Sequence, residues 1–142
     1  MDITYKIVTE TDRDQIIALY RQAGWWSNAD DADISFVDRI VSGTFIFAVA
    51  RDGDRIVGMG RAISDGFSDA YIQDVTVLEK YRKQGVGSGI IKLIVRTLRK
   101  RGIGWIGLIS EPGAEHFYSE LGFEVMKGHT PYILKNEEKC GE

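Results

Sequence analysis

The stretch "VTVLEKYRKQGVGSGII", residues 75–91, decides the reading of the chain. Its first part has the character of a strand and its second part opens an amphipathic helix, yet glycines stand at 85, 87 and 89, within the first helical turns. Glycine costs a helix interior about 0.5–1 kcal/mol relative to alanine, so three together need a reason. A strand that passes through a Gly-rich turn into a helix presents unpaired backbone N–H groups at the positive end of a helix dipole, where phosphate binds. Arg82 and Lys83 stand just before the glycines and add positive charge. The competing reading is structural, because glycine also lets a helix pack closely on a strand.

Two nucleotide motifs do not fit. The spacing of a Walker loop is missing. A dinucleotide fingerprint needs a third glycine where Ile90 sits, and an acid about 20 residues on, where Trp105 lies inside an apolar run.

Outward from this stretch, "ITYKIV" (3–8) alternates as a first strand, and "TETDRDQIIALYRQAGW" carries a helix with Thr11 or Asp12 as its N-cap. A polar loop at 25–33 holds two tryptophans, and a short helix follows near 33–42. Three strands come next: "TFIFAVAR", "RIVGMGRAIS" and "AYIQDVTVL". The spacing of Ile90, Leu93, Ile94, Thr97 and Leu98 predicts a helix over 86–101. A buried strand (103–109), a short helix in "PGAEHFYSELGF", and strands near 123–127 and 131–135 complete the chain. The order implies an α/β fold, a mixed sheet in one layer with helices on both faces.

With 142 residues, 44% hydrophobic and 27% charged, the chain is expected to be a single domain over 1–142, ending in a polar tail from about 137. A net charge of -3 argues against nucleic-acid binding. Cys140, the lone cysteine, has no disulfide partner, which fits a reducing cytoplasm. The two histidines, His116 and His129, lack metal-site spacing, so no metal is expected. "MDITYKIV" does not read as a signal peptide, and no apolar run reaches the roughly 18–20 residues of a membrane span. The expectation is a soluble, cytoplasmic monomer or homodimer without membrane association.

The chain resembles the GNAT (GCN5-related N-acetyltransferase) superfamily in two segments. "VTVLEKYRKQGVGSGII" is similar to its acetyl-CoA motif, with Arg82, Gly85 and Gly87 at the motif positions, and "AEHFYSELGF" is similar to its later helix. The resemblance implies a mostly antiparallel sheet and acetyl-CoA as co-substrate. It further implies that amides of Arg82, Lys83, Gly85, Val86, Gly87 and Ser88 surround the coenzyme A pyrophosphate. Val77 would pair its main chain with the pantetheine arm, and the Val75 N–H would polarise the acetyl carbonyl. Two positions depart from the family pattern: Glu79 replaces a frequent proline, and Glu111 replaces a frequent asparagine that helps bind the coenzyme arm.

Acetyl transfer to an amine needs a neutral nucleophile, a polarised carbonyl and a proton for the departing thiolate. An amine with pKa near about 10.4 is neutral in only about one molecule in a thousand at pH 7.4. Tyr118 matches the family's general acid, and a phenol is protonated at neutral pH; its alternative role is to complete an apolar face with Ala114 and Leu121. Asp74 is the nearest acid to the motif and a possible base; otherwise it is a hydrogen-bonded structural acid and water carries the proton. Trp25, Trp26 and Tyr132 are candidate contacts for a small-molecule or peptide amine, with Asp30, Asp31 and Asp33 nearby in sequence to the tryptophans. The expected function is transfer of acetyl from acetyl-CoA directly to a primary amine. The alternative is a non-catalytic acyl-CoA sensor or regulatory module of the same fold.

Overall fold

The computed structural model describes residues 2–136. The expected polar tail and Cys140 lie outside the described residues. Residues up to Leu108 form one compact unit and those from Ile109 a second.

The first unit holds a five-stranded sheet: β1 (Ile3–Ile7), β2 (Ile46–Asp52), β3 (Arg55–Ser64), β4 (Asp69–Val77) and β5 (Trp105–Leu108). The strands lie in sequence order, antiparallel throughout except for the parallel β4–β5 pair. This is the expected mixed, mostly antiparallel sheet. The β2–β3 hairpin turns at Gly53, whose φ of 59° is easily reached without a side chain. Three longer helices cover the sheet: α1 (Arg13–Gln22), α2 (Ser35–Gly43) and α3 (Val86–Lys100). Asp12 caps α1 by accepting from the Asp14 and Gln15 amides at 3.0 and 3.4 Å.

The two faces of the sheet differ in side-chain size, and that difference sorts the helices. Phe47, Val49 and Met59 face a core made by Ile16, Leu19 and Tyr20 of α1 and Val37 and Val41 of α2. On the other face the cross-strand pairs are Ala48 with Gly60 and Ala50 with Gly58, a floor of very small residues. Onto that floor α3 packs Ile90, Ile94 and Leu98, each fully buried. Burying such a side chain is worth about 1.5–3 kcal/mol. Contact is close: a Cβ added to Gly58 would lie 2.9 Å from Ile90 Cδ1, and one on Gly60 2.9 Å from Ile90 Cγ2. Among the described residues no helix is long and apolar enough to cross a membrane.

The loop after α1 is more ordered than a polar run suggests. A 3-10 turn at Asn28–Asp33, started by a Ser27–Asp30 capping box, precedes α2. In the second unit, α4 (Glu115–Glu120) ends at Gly122, whose φ is 94°. The strands expected at 123–127 and 131–135 are absent among the described residues. Instead the chain turns at Gly128, φ 77°, with the His129 amide bonded to the Met126 carbonyl at 3.1 Å. Val125, Tyr132, Ile133 and Leu134 are exposed. The segment has the β-branched and aromatic character of a strand, but that character becomes a strand only when a neighbouring strand supplies hydrogen bonds.

Candidate active site

Strand β4 begins as an interior strand and ends as an open one. Its parallel pairing with β5 stops at Ile72 and Leu108. From Gln73 to Val77 it pairs only with β3 among the described residues, and one backbone edge is left without a strand. At the same place its register with β3 slips: Arg61 pairs with Gln73, but Met59 pairs with Thr76. Two steps along β3 therefore match three along β4, which is a bulge that bends and twists the strand. Asp74 sits in the bulge with φ 56°, in the left-handed region. Next to it Val75 turns its side chain toward α3, near Gly60.

The Asp74 carboxylate has two donors on one oxygen. The Tyr20 hydroxyl donates to Oδ2 at 2.7 Å, and Arg61 Nε donates to the same atom at 2.7 Å. Arg61 also donates to Thr44 Oγ1 and to Gln73 Oε1, each at 3.1 Å. Both partners of the ion pair are largely buried, with side-chain exposures of 18% and 22%. Burial pushes the Tyr20 phenol far up, and the Asp74 charge adds to the effect, so Tyr20 remains a donor. The expected candidate base is thus bound in a polar cluster with an arginine and a tyrosine.

Beyond β4 the chain makes a 3-10 turn at Glu79–Tyr81 and then the glycine segment. Lys83 and Gly85 both take left-handed conformations, with φ of 61° and 82°. A turn of this kind directs successive amides to one side and forms an anion cradle. No side chain caps α3, its first turn contains no acid, and the Gly89 amide is bonded to the Gly85 carbonyl at 3.0 Å. The amides of Val86, Gly87 and Ser88 precede that first intrahelical bond and point along the dipole. Arg82 and Lys83 are exposed beside them. These residues fit a pyrophosphate.

The glycines divide the work. Gly85 has open space where a Cβ would be, so its backbone angle is what calls for glycine. Gly89 meets the Tyr5 ring: an added Cβ would lie 2.2 Å from Cζ. The close-packing reading therefore holds at Gly89. Arg82 Nε donates to the Val77 carbonyl at 3.0 Å, tying the turn to the end of β4.

On the other side of Tyr20 lie the two tryptophans, with ring centroids 6.3 Å from Trp25 and 6.4 Å from Trp26. Trp26 is core: 8% exposed, with its indole N–H donating to Asp31 Oδ1 at 3.0 Å. That burial withdraws Trp26 from an acceptor's reach and leaves Trp25, 37% exposed, as the accessible ring. The acids that follow the tryptophans in sequence are engaged locally. Asp31 is paired with Arg21 and Trp26, Asp33 with Arg39 and Ser35, and Asp30 with Ser27. Hydrogen bonds from Trp26 and Arg21 hold Asp31 below the usual carboxylate range, and those from Ser35 and Arg39 do so for Asp33.

In the second unit Tyr118 lies half-buried between Phe117 and Phe123, with centroids at 4.9 and 5.9 Å. Burial, then the Glu111 charge, pushes its phenol up, so it carries its proton throughout the neutral range. His116 is exposed and paired with Glu120 at 2.9 Å. Tyr132 is exposed.

Sequence reasoning overlooked Tyr20, Arg61 and the pair Gly58 and Gly60. The last left a readable signal: glycine at alternate positions of "VGMGR" puts both on one strand face, a sign that another backbone or helix comes close.

Comparison with known proteins bears on the family and the fold. The family model described as "Acetyltransferase (GNAT) family" matches residues 14–123. A histone acetyltransferase, TAP1, from Glycine max is 44% identical over 71 residues, which are 50% of this chain and 31% of that protein. The chain thus spans less than half the length of such curated relatives. A GNAT-family acetyltransferase from Streptococcus pneumoniae TIGR4 superposes with a TM-score of 0.76 at 28% identity, covering 96% of this chain and 100% of that one. The fold of AAC(6')-Iy, solved with a coenzyme A bisubstrate analogue, superposes with a TM-score of 0.73 at 18% identity, over 99% of this chain and 100% of that one. By the extent of the family match, this chain belongs to the acetyltransferase (GNAT) family.

Proposed function

We propose that the chain is an acetyl-CoA-dependent N-acetyltransferase that moves the acetyl group directly to a primary amine. The observation that carries the reading is the succession of an open β4 edge, an uncapped α3 and a left-handed turn between them. Amides of residues 82–88 hold the pyrophosphate, and the exposed Arg82 and Lys83 add charge. The Val77 main chain pairs with the pantetheine arm, as a sheet edge pairs with an added peptide. Its carbonyl now accepts from Arg82, so this pairing exchanges one hydrogen bond for another.

The Val75 N–H polarises the acetyl carbonyl. The amine lone pair attacks the carbonyl carbon, the carbon–sulfur bond breaks, and Tyr118 donates its proton to the departing thiolate. Asp74, bonded to Tyr20 and Arg61, supports a structural role, so water removes the amine's proton. Trp25 offers its ring to the acceptor's alkyl chain. The TAP1 relative, a histone acetyltransferase by name, makes a protein lysine one acceptor class to test beside small amines.

Thiol release from acetyl-CoA across a panel of small amines and lysine peptides tests the reading. Release above buffer with at least one amine, and an acetyl mass gain on that amine, is expected. Buffer rates throughout, with tight coenzyme A binding, would establish the non-catalytic sensor instead.

A further inference from the structure

We infer that Tyr20, Arg61 and Asp74 form a positioning latch that sets the bulge of β4 and thereby the aim of the Val75 amide; this rests on the acetyltransferase reading above. Asp74 occupies a left-handed conformation, φ 56°, that a residue with a side chain adopts at a cost unless its surroundings hold it there. Here the holding contacts come from two directions. Tyr20 reaches from α1 and Arg61 from β3, both to the same carboxylate oxygen at 2.7 Å. Arg61 is itself fixed by Thr44 at the end of α2 and by Gln73, the residue before the bulge. Three elements are thus tied to one backbone kink, and the next residue along it is Val75.

Tyr20 also connects the latch to the acceptor side. It packs edge-on against the exposed Trp25, whose amide is bonded to the Tyr20 carbonyl at 2.9 Å. One tyrosine therefore touches both the kink that orients the donor carbonyl's partner and the ring offered to the amine. The latch is a positioning device: it touches no reacting atom.

The test compares Asp74→Asn, Asp74→Gly and Asp74→Ala, with Tyr20→Phe and Arg61→Lys. Asparagine tolerates the left-handed region and keeps an acceptor, glycine keeps only the backbone freedom, and alanine keeps neither. The latch predicts kcat close to wild type for Asn, intermediate for Gly and lowest for Ala, roughly 10–100-fold down, with KM for acetyl-CoA little changed. Equal loss in all three, with the backbone unmoved, would make Asp74 a catalytic base and overturn the latch. So would an unaltered kcat in the Ala variant.

Backbone NMR shifts of residues 73–76 supply a readout that does not depend on turnover. Tyr20→Phe and Arg61→Lys should move residue 74 away from its left-handed shifts. Left-handed shifts retained in both variants would overturn the latch whether or not the wild type acetylates anything. Absent turnover in a wild type whose latch variants still shift would count against the acetyltransferase reading alone.

Discussion

At the scale of single residues, the glycines separate into kinds that substitution can distinguish. Gly85→Ala meets open space but a φ of 82°, so the cost of about 1–2 kcal/mol is conformational and falls on the turn itself. Calorimetry should find coenzyme A affinity reduced in this variant. Tyr118 is a residue-scale prediction of another sort. Its phenol is pushed up by burial and by Glu111, so it stays protonated across the neutral range, and the Phe variant removes the hydroxyl while keeping the ring. Tyr118→Phe should lower kcat by about 10²-fold or more while leaving coenzyme A affinity intact. An unchanged kcat would remove Tyr118 from the acid role. The turn at Gly85 was legible, since motif spacing marks backbone turns. Tyr20 and Arg61 were not, because their partner Asp74 is 54 and 13 residues away and only folding brings them together.

At the scale of elements, the distance between α3 and the sheet depends on Gly58 and Gly60. Gly60→Ala puts a Cβ within 2.9 Å of Ile90, 3.2 Å of Ile94 and 3.2 Å of Val75. Overpacking of this kind costs about 1–3 kcal/mol, and chemical denaturation should show it. Gly43→Ala, in α2 with nothing within 4 Å, is the matched control and should be neutral or slightly stabilising. Equal destabilisation by both would mean that the small-residue floor does not set the helix's approach. Elements were the most legible scale, because periodicity and turn residues are local. The failures were where pairing is not local: residues 123–127 and 131–135 carry strand-forming residues, but no strand pairs with them among the described residues. The bulge in β4 was equally hidden, because a strand with one residue too many looks continuous until its partner's register is known.

At the scale of the whole molecule, acid sensitivity follows from the exposed carboxylates. Asp12, Asp31, Asp33 and Asp38 are held below their usual range by hydrogen bonds, and Asp65 is held down to about 2, first by Ser68 and then by amides of Phe67 and Ser68. Groups depressed on folding contribute stability that is present above the unfolded carboxylate value of about 4 and lost as pH falls toward their folded values. Tm should therefore be level from neutral pH to about 5 and decline below about 4. Asp65→Asn should flatten the lower end of that decline, and an unchanged acid limb would contradict the assignment. The fold class was legible from element order, and the Gly-rich turn into α3 from residues 82–88, because both are written in contiguous sequence. The acceptor is a whole-molecule property: it depends on which loop side chains are left exposed. Adjacent positions rarely face the same way, so one of the two tryptophans was expected in the core, but only the fold shows that it is Trp26 and not Trp25.

In the proposed function the left-handed turn and the uncapped start of α3 seat coenzyme A. Titrating the ¹⁵N-labelled protein with coenzyme A reads each amide separately. The largest shifts are expected at the amides of residues 82–88, with Val75 and Val77 following. Saturating coenzyme A that leaves those amides unmoved would contradict that seating.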